Sequence, residues 1–157
     1  MPEIILIIVF VISLIILKLL RNEYNFAFSA RIAMSAMLIT TGIAHFVFVK
    51  GFLLMLPDFI PYKTELIYFT GVVELIAAIG ILLSKYKKIT GWLLIVFLIL
   101  ITPSNIYAAI RHVNLEKATF DGDGPDYLWF RIPLQIFFIA WIYFSCIKPI
   151  YLTQKSF

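Results

Sequence analysis

The sequence predicts an all-α polytopic membrane protein with five transmembrane helices. Three observations predict it. Of 157 residues, 62% are hydrophobic and only 14% are charged, against about 45–50% apolar and about 25% charged in a soluble domain. So few charges cannot cover a water-facing surface. The apolar residues also gather in five runs, each close to the ~20 residues that a spanning helix needs. Finally, backbone groups in hydrocarbon must bond within their own segment, which makes these runs helices. One transmembrane domain over residues 1–157 is expected, with helices at about 3–20, 31–50, 65–84, 89–111 and 128–147.

The first run, Ile4–Leu20, is broken only by Lys18. It follows Glu3 rather than a basic stretch and has no small-x-small pattern before Arg21, so a retained helix is expected rather than a signal peptide. The second run is Ile32–Val49, and the third, Leu66–Leu83, contains Glu74. Ser84–Lys88 is a short turn that makes the third run and the fourth, Ile89–Ile110, antiparallel neighbours. The fifth, Ile132–Ile147, is lengthened by the interfacial residues Tyr127, Trp129 and Arg131. Between runs two and three, GFLLMLPDFIPYK (Gly51–Lys63) is apolar, yet Pro57 and Pro61 bar a regular spanning helix. It reads either as an interfacial or re-entrant lid over one end of the bundle or as a loop resting on lipid headgroups. The DGDGPD run in Val113–Tyr127 is a turn-rich loop without the ligand spacing of an EF-hand.

Basic residues set the expected orientation. With the N-terminus outside, Lys18, Arg21, Arg31, Lys85, Lys87, Lys88, Lys148 and Lys155 face the cytoplasm. Lys50, Lys63, Arg111, Lys117 and Arg131 then face outward, as the positive-inside rule prefers. The expected location is a bacterial cytoplasmic membrane, N-terminus outside and C-terminus inside. One cysteine, Cys146, excludes an internal disulfide, a CxxC redox motif and a thiolate-rich metal site. No zinc signature, phosphate-cradling glycine loop or nucleophile elbow is present, and no basic patch suits nucleic acid.

Ionisable and amide side chains inside spanning helices are costly and mark candidate sites. Glu74 lies about nine residues from the outer end of its helix, or ~14 Å at ~1.5 Å per residue. His45 and Asn105 lie ~9 Å below the outer ends of theirs. Arg131 and Gln135 open the last helix, one turn apart on one face. His45, Glu74, Asn105, Arg131 and Gln135 thus share the outer half of the bundle and form the candidate ligand-binding site. Thr41, Gly42, Thr70, Gly71 and Thr102 beside them allow close helix approach and supply hydroxyls. Each residue also has a structural reading: Glu74 as a partner of Arg131 or His45, Asn105 as a cap for carbonyls freed by Pro103, Gln135 as interhelical glue. His45 and Glu74 can exchange protons, and Arg131, Asn105 and Gln135 can hold an oxygen. Nearby aromatics such as Phe46, Phe52 and Tyr68 can sandwich a flat ring, although an interfacial belt accounts for most of them. That chemistry suits a quinone. A bis-histidine haem is not expected, since His112 sits beyond the depth of His45.

From Arg31 to Tyr143 the chain resembles the DoxX family of small bacterial membrane proteins, on GIAHF (Gly42–Phe46), MLPDFIP, TGVVELIAAIGILL (Thr70–Leu83), TPSNIYAAI (Thr102–Ile110) and RIPLQIFFIAW (Arg131–Trp141) in order. The resemblance implies an antiparallel four-helix core to which the N-terminal transmembrane helix is one extra, a place near quinone redox chemistry and an oxidoreductase partner. The expected function is therefore binding of a quinone-like or other small lipophilic molecule in support of a redox process. A non-enzymatic carrier or receptor, or a structural membrane subunit, is the alternative. No motif requires a cofactor, and none selects a catalysed reaction. The expected partners are the bilayer, the lipophilic ligand and that oxidoreductase, with no nucleic acid and no metal.

Overall fold

A computed structural model of the chain describes residues 2–22 and 24–149. Among the described residues the fold is helical, relieved only by an isolated bridge between Asn114 and Thr119. Helix α1 spans Pro2–Arg21 and α2 spans Phe26–Val47. A bend at Phe48 leads into the short α3, Val49–Leu54. Then follow α4, Lys63–Gly80, α5, Lys87–Ile110, and α6, Leu128–Ile142, which runs on into one π-helical turn at Tyr143–Ile147.

Local chemistry sets these boundaries. The Asn25 side chain accepts a hydrogen bond from the Phe28 N–H and caps α2, so this helix starts at Phe26 rather than near residue 31. Arg31 therefore belongs to the helix, one turn inside its start, instead of marking a loop. Tyr62 adopts a left-handed conformation with φ 52°, which turns the chain from the Pro57–Pro61 segment into α4. Gly80 ends α4 four residues earlier than expected. Between α3 and α4, residues 55–62 form turns, so Gly51–Lys63 neither spans nor re-enters as a long helix.

Four segments are long and apolar enough to cross a membrane: Pro2–Arg21, Phe26–Val47, Lys87–Ile110 and Pro125–Ile147. Helix α4 carries Lys63, Glu65 and Glu74 in its 18 residues and does not meet that measure by itself. It runs antiparallel beside α2, however. The Ser35 hydroxyl donates to the Ala78 carbonyl at 2.8 Å, and the contacts of Thr41 with Glu74 and of His45 with Thr70 follow in sequence along the pair. It therefore covers the same depth as Ser35–His45 of α2.

The bundle has two unlike ends. The loop end holds residues 48–62 and 111–127, and the turn end holds the short connections after α1 and α4. Leu6, Met34, Ala78, Ile81, Leu94 and Ile142 are almost wholly buried at the centre. On the outside, Ile8, Leu19, Ile76, Leu93, Leu100 and Ile136 are about half exposed or more, an apolar surface that suits hydrocarbon rather than water.

The α2–α4 contact is tightest at two glycines. A Cβ at Gly71 would stand 2.8 Å from the His45 Cβ and 3.1 Å from the Gly42 carbonyl oxygen. A Cβ at Gly42 would meet Leu75 at 3.0 Å and the Gly71 oxygen at 3.1 Å. Side chains at either position would drive the backbones apart. Gly71→Leu is expected to cost about 1–3 kcal/mol as overpacking, read as a lower thermal midpoint of the detergent-solubilised protein. Ile76→Leu, at a residue 64% exposed on the same helix, is expected to leave that midpoint unchanged.

Candidate functional site

The Gly42–Gly71 approach brings the polar side chains of α2 and α4 into contact. His45 Nε2 lies 3.5 Å from Glu74 Oε1, with side chains only 12% and 8% exposed. The Thr41 hydroxyl donates to Glu74 Oε2 in a short hydrogen bond. Thr70 Oγ1 donates to the Ile67 carbonyl at 2.8 Å or shares a hydrogen with His45 Nδ1 at 3.2 Å, according to the imidazole tautomer. That contact holds the ring with Nε2 facing the carboxyl.

Nε2 without a hydrogen and a carboxylate oxygen would be two acceptors facing each other. A proton on Nε2 or on the carboxyl turns this into a donor facing an acceptor. At 3.5 Å the contact is also longer than an ordinary hydrogen bond.

The other predicted residues form a second set, between α5 and α6. Arg131 donates through Nη2 to Asn105 Oδ1 at 3.3 Å, which turns the Asn105 amide nitrogen inward, buried and without a hydrogen-bond partner. Gln135 donates to the Leu98 carbonyl at 2.6 Å, and the Thr102 hydroxyl donates to the same oxygen at 2.9 Å, from the residue before Pro103, which α5 carries within its length. Among the described residues no hydrogen bond or ion pair joins the two sets. Glu74 is thus the partner of His45 and not of Arg131, and Gln135 ties α6 to the carbonyl ladder of α5.

A lid covers the first set. The Phe52 ring of α3 stacks on the His45 imidazole, with centroids 4.0 Å apart and planes 13° off parallel. Gly51 holds α3 against the loop of residues 111–127, because a Cβ there would strike the Leu115 carbonyl oxygen. Lys63 straps the segment from below, donating to the Leu56 carbonyl at 3.1 Å and to Asp58 Oδ1 at 2.8 Å. Phe52 of this segment thus lies over His45, while Phe59 and Tyr62 are largely exposed.

Sequence reasoning missed Arg31. It is 8% exposed at the turn end, where its Nη1 donates to the Ser145 carbonyl at 2.9 Å, one of the last carbonyls of the π-helical turn. Ser29, Ser35 and Ser145 are buried on the same half, so polar groups are not confined to the loop end. The apolar run Phe26–Ala30 before Arg31 was the available signal: it places the arginine inside a helix rather than at its border.

Fold and site define an all-helical protein with several potential membrane spans and a buried His–Glu pair covered by an aromatic lid. The family model described as "Domain of unknown function (DUF8561)" matches residues 34–146, and the chain belongs to that family. This overturns the resemblance to the DoxX family, because the match is to DUF8561 and not to DoxX. The stretches behind that resemblance combine small residues at a helix contact, an isolated buried polar group and prolines in a loop, features that any tightly packed membrane bundle needs. No curated protein matches the chain. No solved structure matches it either.

The strap has a defined pH dependence. The Lys63 ammonium, first by its hydrogen bond and then by its charge, holds the exposed Asp58 carboxyl below the ordinary carboxylate range. The contact is therefore fully present above that range and is lost as pH falls through the lowered value. Lys63→Met is expected to return Asp58 to ordinary titration, followed by carboxyl carbon NMR shifts, and to increase proteolysis at residues 55–62 at neutral pH.

Proposed function

We propose that the protein spans a membrane and binds a small, flat, lipophilic molecule with a carbonyl or hydroxyl oxygen, of the quinone class, at the His45–Glu74 pair. The observation that carries this reading is the pair itself: an imidazole and a carboxyl group 3.5 Å apart and largely buried, beneath an aromatic ring stacked on the imidazole. A ligand oxygen entering beside Nε2 and Oε1 meets both a donor and an acceptor. A ligand ring takes the position of Phe52 over His45 when α3 lifts, since the imidazole face already accepts a flat aromatic partner. Arg131 and the inward Asn105 amide supply a second pair of donors for a second oxygen.

The topology proposed with this reading has α2, α4, α5 and α6 as the core and α1 as an addition, supported by a family match that begins inside α2. The loop end faces outward. With Arg31 and Arg131 in helices and Lys155 outside the described residues, six basic residues at the turn end against four at the loop end keep the same sense. The expected inside C-terminus also falls on undescribed residues. No residue of the chain by itself implies an oxidoreductase partner.

A second reading has its own support. Thr41, Thr70 and Phe52 satisfy or cover the pair from within the protein, as a latch fixing α2 against α4 would require. Titration of the purified protein with a short-tailed benzoquinone, followed by quenching of intrinsic fluorescence, separates the two. Saturable binding is expected, weakened about tenfold or more by Glu74→Gln and by His45→Gln, since each removes a hydrogen bond worth about 1.4 kcal/mol or more. Phe52→Ala is expected to speed association. Absence of saturable binding, or equal affinity in wild type and both variants, would leave the latch as the function of the pair.

A further inference from the structure

Two grooves of equal size flank the turn half of α1. One, of about 310 Å³, runs between α1, α2 and α6 and is lined by Phe10, Phe26, Ala30, Ala140, Trp141 and Ser145 among others. The other, also about 310 Å³, is bordered by Val11, Leu14, Ile15, Lys18, Leu19 and Tyr24. At about 100° per residue, Val11, Leu14 and Lys18 occupy the flank of α1 next to that of Phe10, so the grooves are neighbours. They converge where Tyr24 stacks on Phe26, with ring centroids 5.8 Å apart.

Each groove has the character and length of a lipid tail site. Alanines make the floor of the first, and the Trp141 indole is fixed by donating to the Ala30 carbonyl at 3.0 Å, which turns its apolar face to the groove. From Ser145 to Phe137 the first groove follows α6 for eight residues, about 12 Å at 1.5 Å per residue. That is close to the ~15 Å depth of one leaflet's hydrocarbon. The second follows α1 from Val11 to Lys18, a similar length.

The convergence point is cationic. The Lys18 ammonium sits 4.9 Å from the centre of the Tyr24 ring and donates to the Asn22 carbonyl at 3.2 Å, with two further hydrogens to give. Its stem lies along the groove while its head reaches the helix end, as a snorkelling lysine does. Behind the first groove, buried Arg31 holds the Ser145 carbonyl through Nη1 and keeps an Nε without a hydrogen-bond partner. Arg21, Lys85, Lys88 and Lys148 are exposed at the same end. In the sequence of residues 15–26, 80–89 and 143–149, Glu23 is the only acid.

From two leaflet-length grooves meeting at one ammonium, we infer that the turn end holds an anionic diacyl phospholipid, one tail in each groove and its phosphate on Lys18. This rests on the membrane reading of the helices but not on a ligand at the His45–Glu74 pair. The bound lipid ties α1 to α2 and α6, the helices that form the first groove.

Native mass spectrometry and thermal melting of the full chain in mild detergent test this, with added phosphatidylglycerol compared against phosphatidylcholine of the same tails. Phosphatidylglycerol is expected to stay bound and raise the melting temperature, and phosphatidylcholine to do so at least fivefold less well. Lys18→Ala is expected to abolish that preference, and Ala140→Phe, which fills the first groove, to cut bound phosphatidylglycerol at least fivefold. Glu74→Gln is expected to leave lipid binding intact, which separates this site from the one at the loop end. Should Ala140→Phe fail to fold, a phosphatidylglycerol with a nitroxide on its tail is expected to quench Trp141 in a Trp92→Phe/Trp129→Phe protein. Equal binding of the two lipids by wild type, unchanged binding by Ala140→Phe or lack of Trp141 quenching would each overturn the inference. A dimer that Ala140→Phe converts to monomer would overturn it too, by giving the first groove to a second copy of the chain.

Discussion

The site at the loop end depends on how closely α2 and α4 approach at Gly42 and Gly71. Each glycine faces the other helix's backbone at a distance where a Cβ would be crowded, and the His45 Cβ itself rests over Gly71. In an apolar solvent, packing and interhelical hydrogen bonds take over what hydrophobic burial does in water. The close approach makes both available at once. It lets Thr41 reach Glu74 and Thr70 reach His45 across the seam, and it places the Ser35 hydroxyl on the Ala78 carbonyl further along. Widening the seam by the width of a methyl group would break the contacts that make the buried acid tolerable.

Charge is the second constraint. A lone carboxylate at the depth of Glu74 is expensive, and so is a lone imidazolium. Here the two face each other at 3.5 Å, and the hydroxyls of Thr41 and Thr70 meet their remaining polar edges. The set at α5 and α6 follows a different rule. There Arg131 lies near the start of its helix and is only partly buried, while Gln135 and Thr102 both serve the Leu98 carbonyl before Pro103. One set is an imidazole–carboxyl pair between α2 and α4, and the other ties α6 to α5 and leaves a spare amide. Their separation explains why a shared depth along the bundle does not by itself make one cluster.

Much of this was legible in the residues. Apolar runs locate α1, α2, α4, α5 and α6, since a membrane leaves few other ways to satisfy the backbone. His45 and Glu74 announce themselves as costly residues beside Gly and Thr on facing helices, and the prolines of Gly51–Lys63 rule out a span. Arg31 was misplaced because a charge next to an apolar run reads as a border, whereas the Asn25 cap upstream shows that the helix has already begun. Helix pairing was not legible either. Depth can be counted along a sequence, but whether Arg131 faces Glu74 or Asn105 depends on which helices are neighbours. The stacking of Phe52 on His45 required the bend at Phe48, which no residue pattern marks. The DoxX resemblance failed for a related reason: short motifs made of small residues and prolines record packing needs shared by many bundles.

A quinone-class oxygen proposed to enter at the His45–Glu74 pair would perturb the Glu74 carboxyl. Infrared difference spectroscopy of the carboxyl stretch, with and without a short-tailed benzoquinone, tests it most directly. The account predicts a carboxyl band that changes on adding the quinone in the wild-type protein and is missing from the difference spectrum of Glu74→Gln. A wild-type difference spectrum with no carboxyl band, under conditions where the quinone is bound, would contradict it.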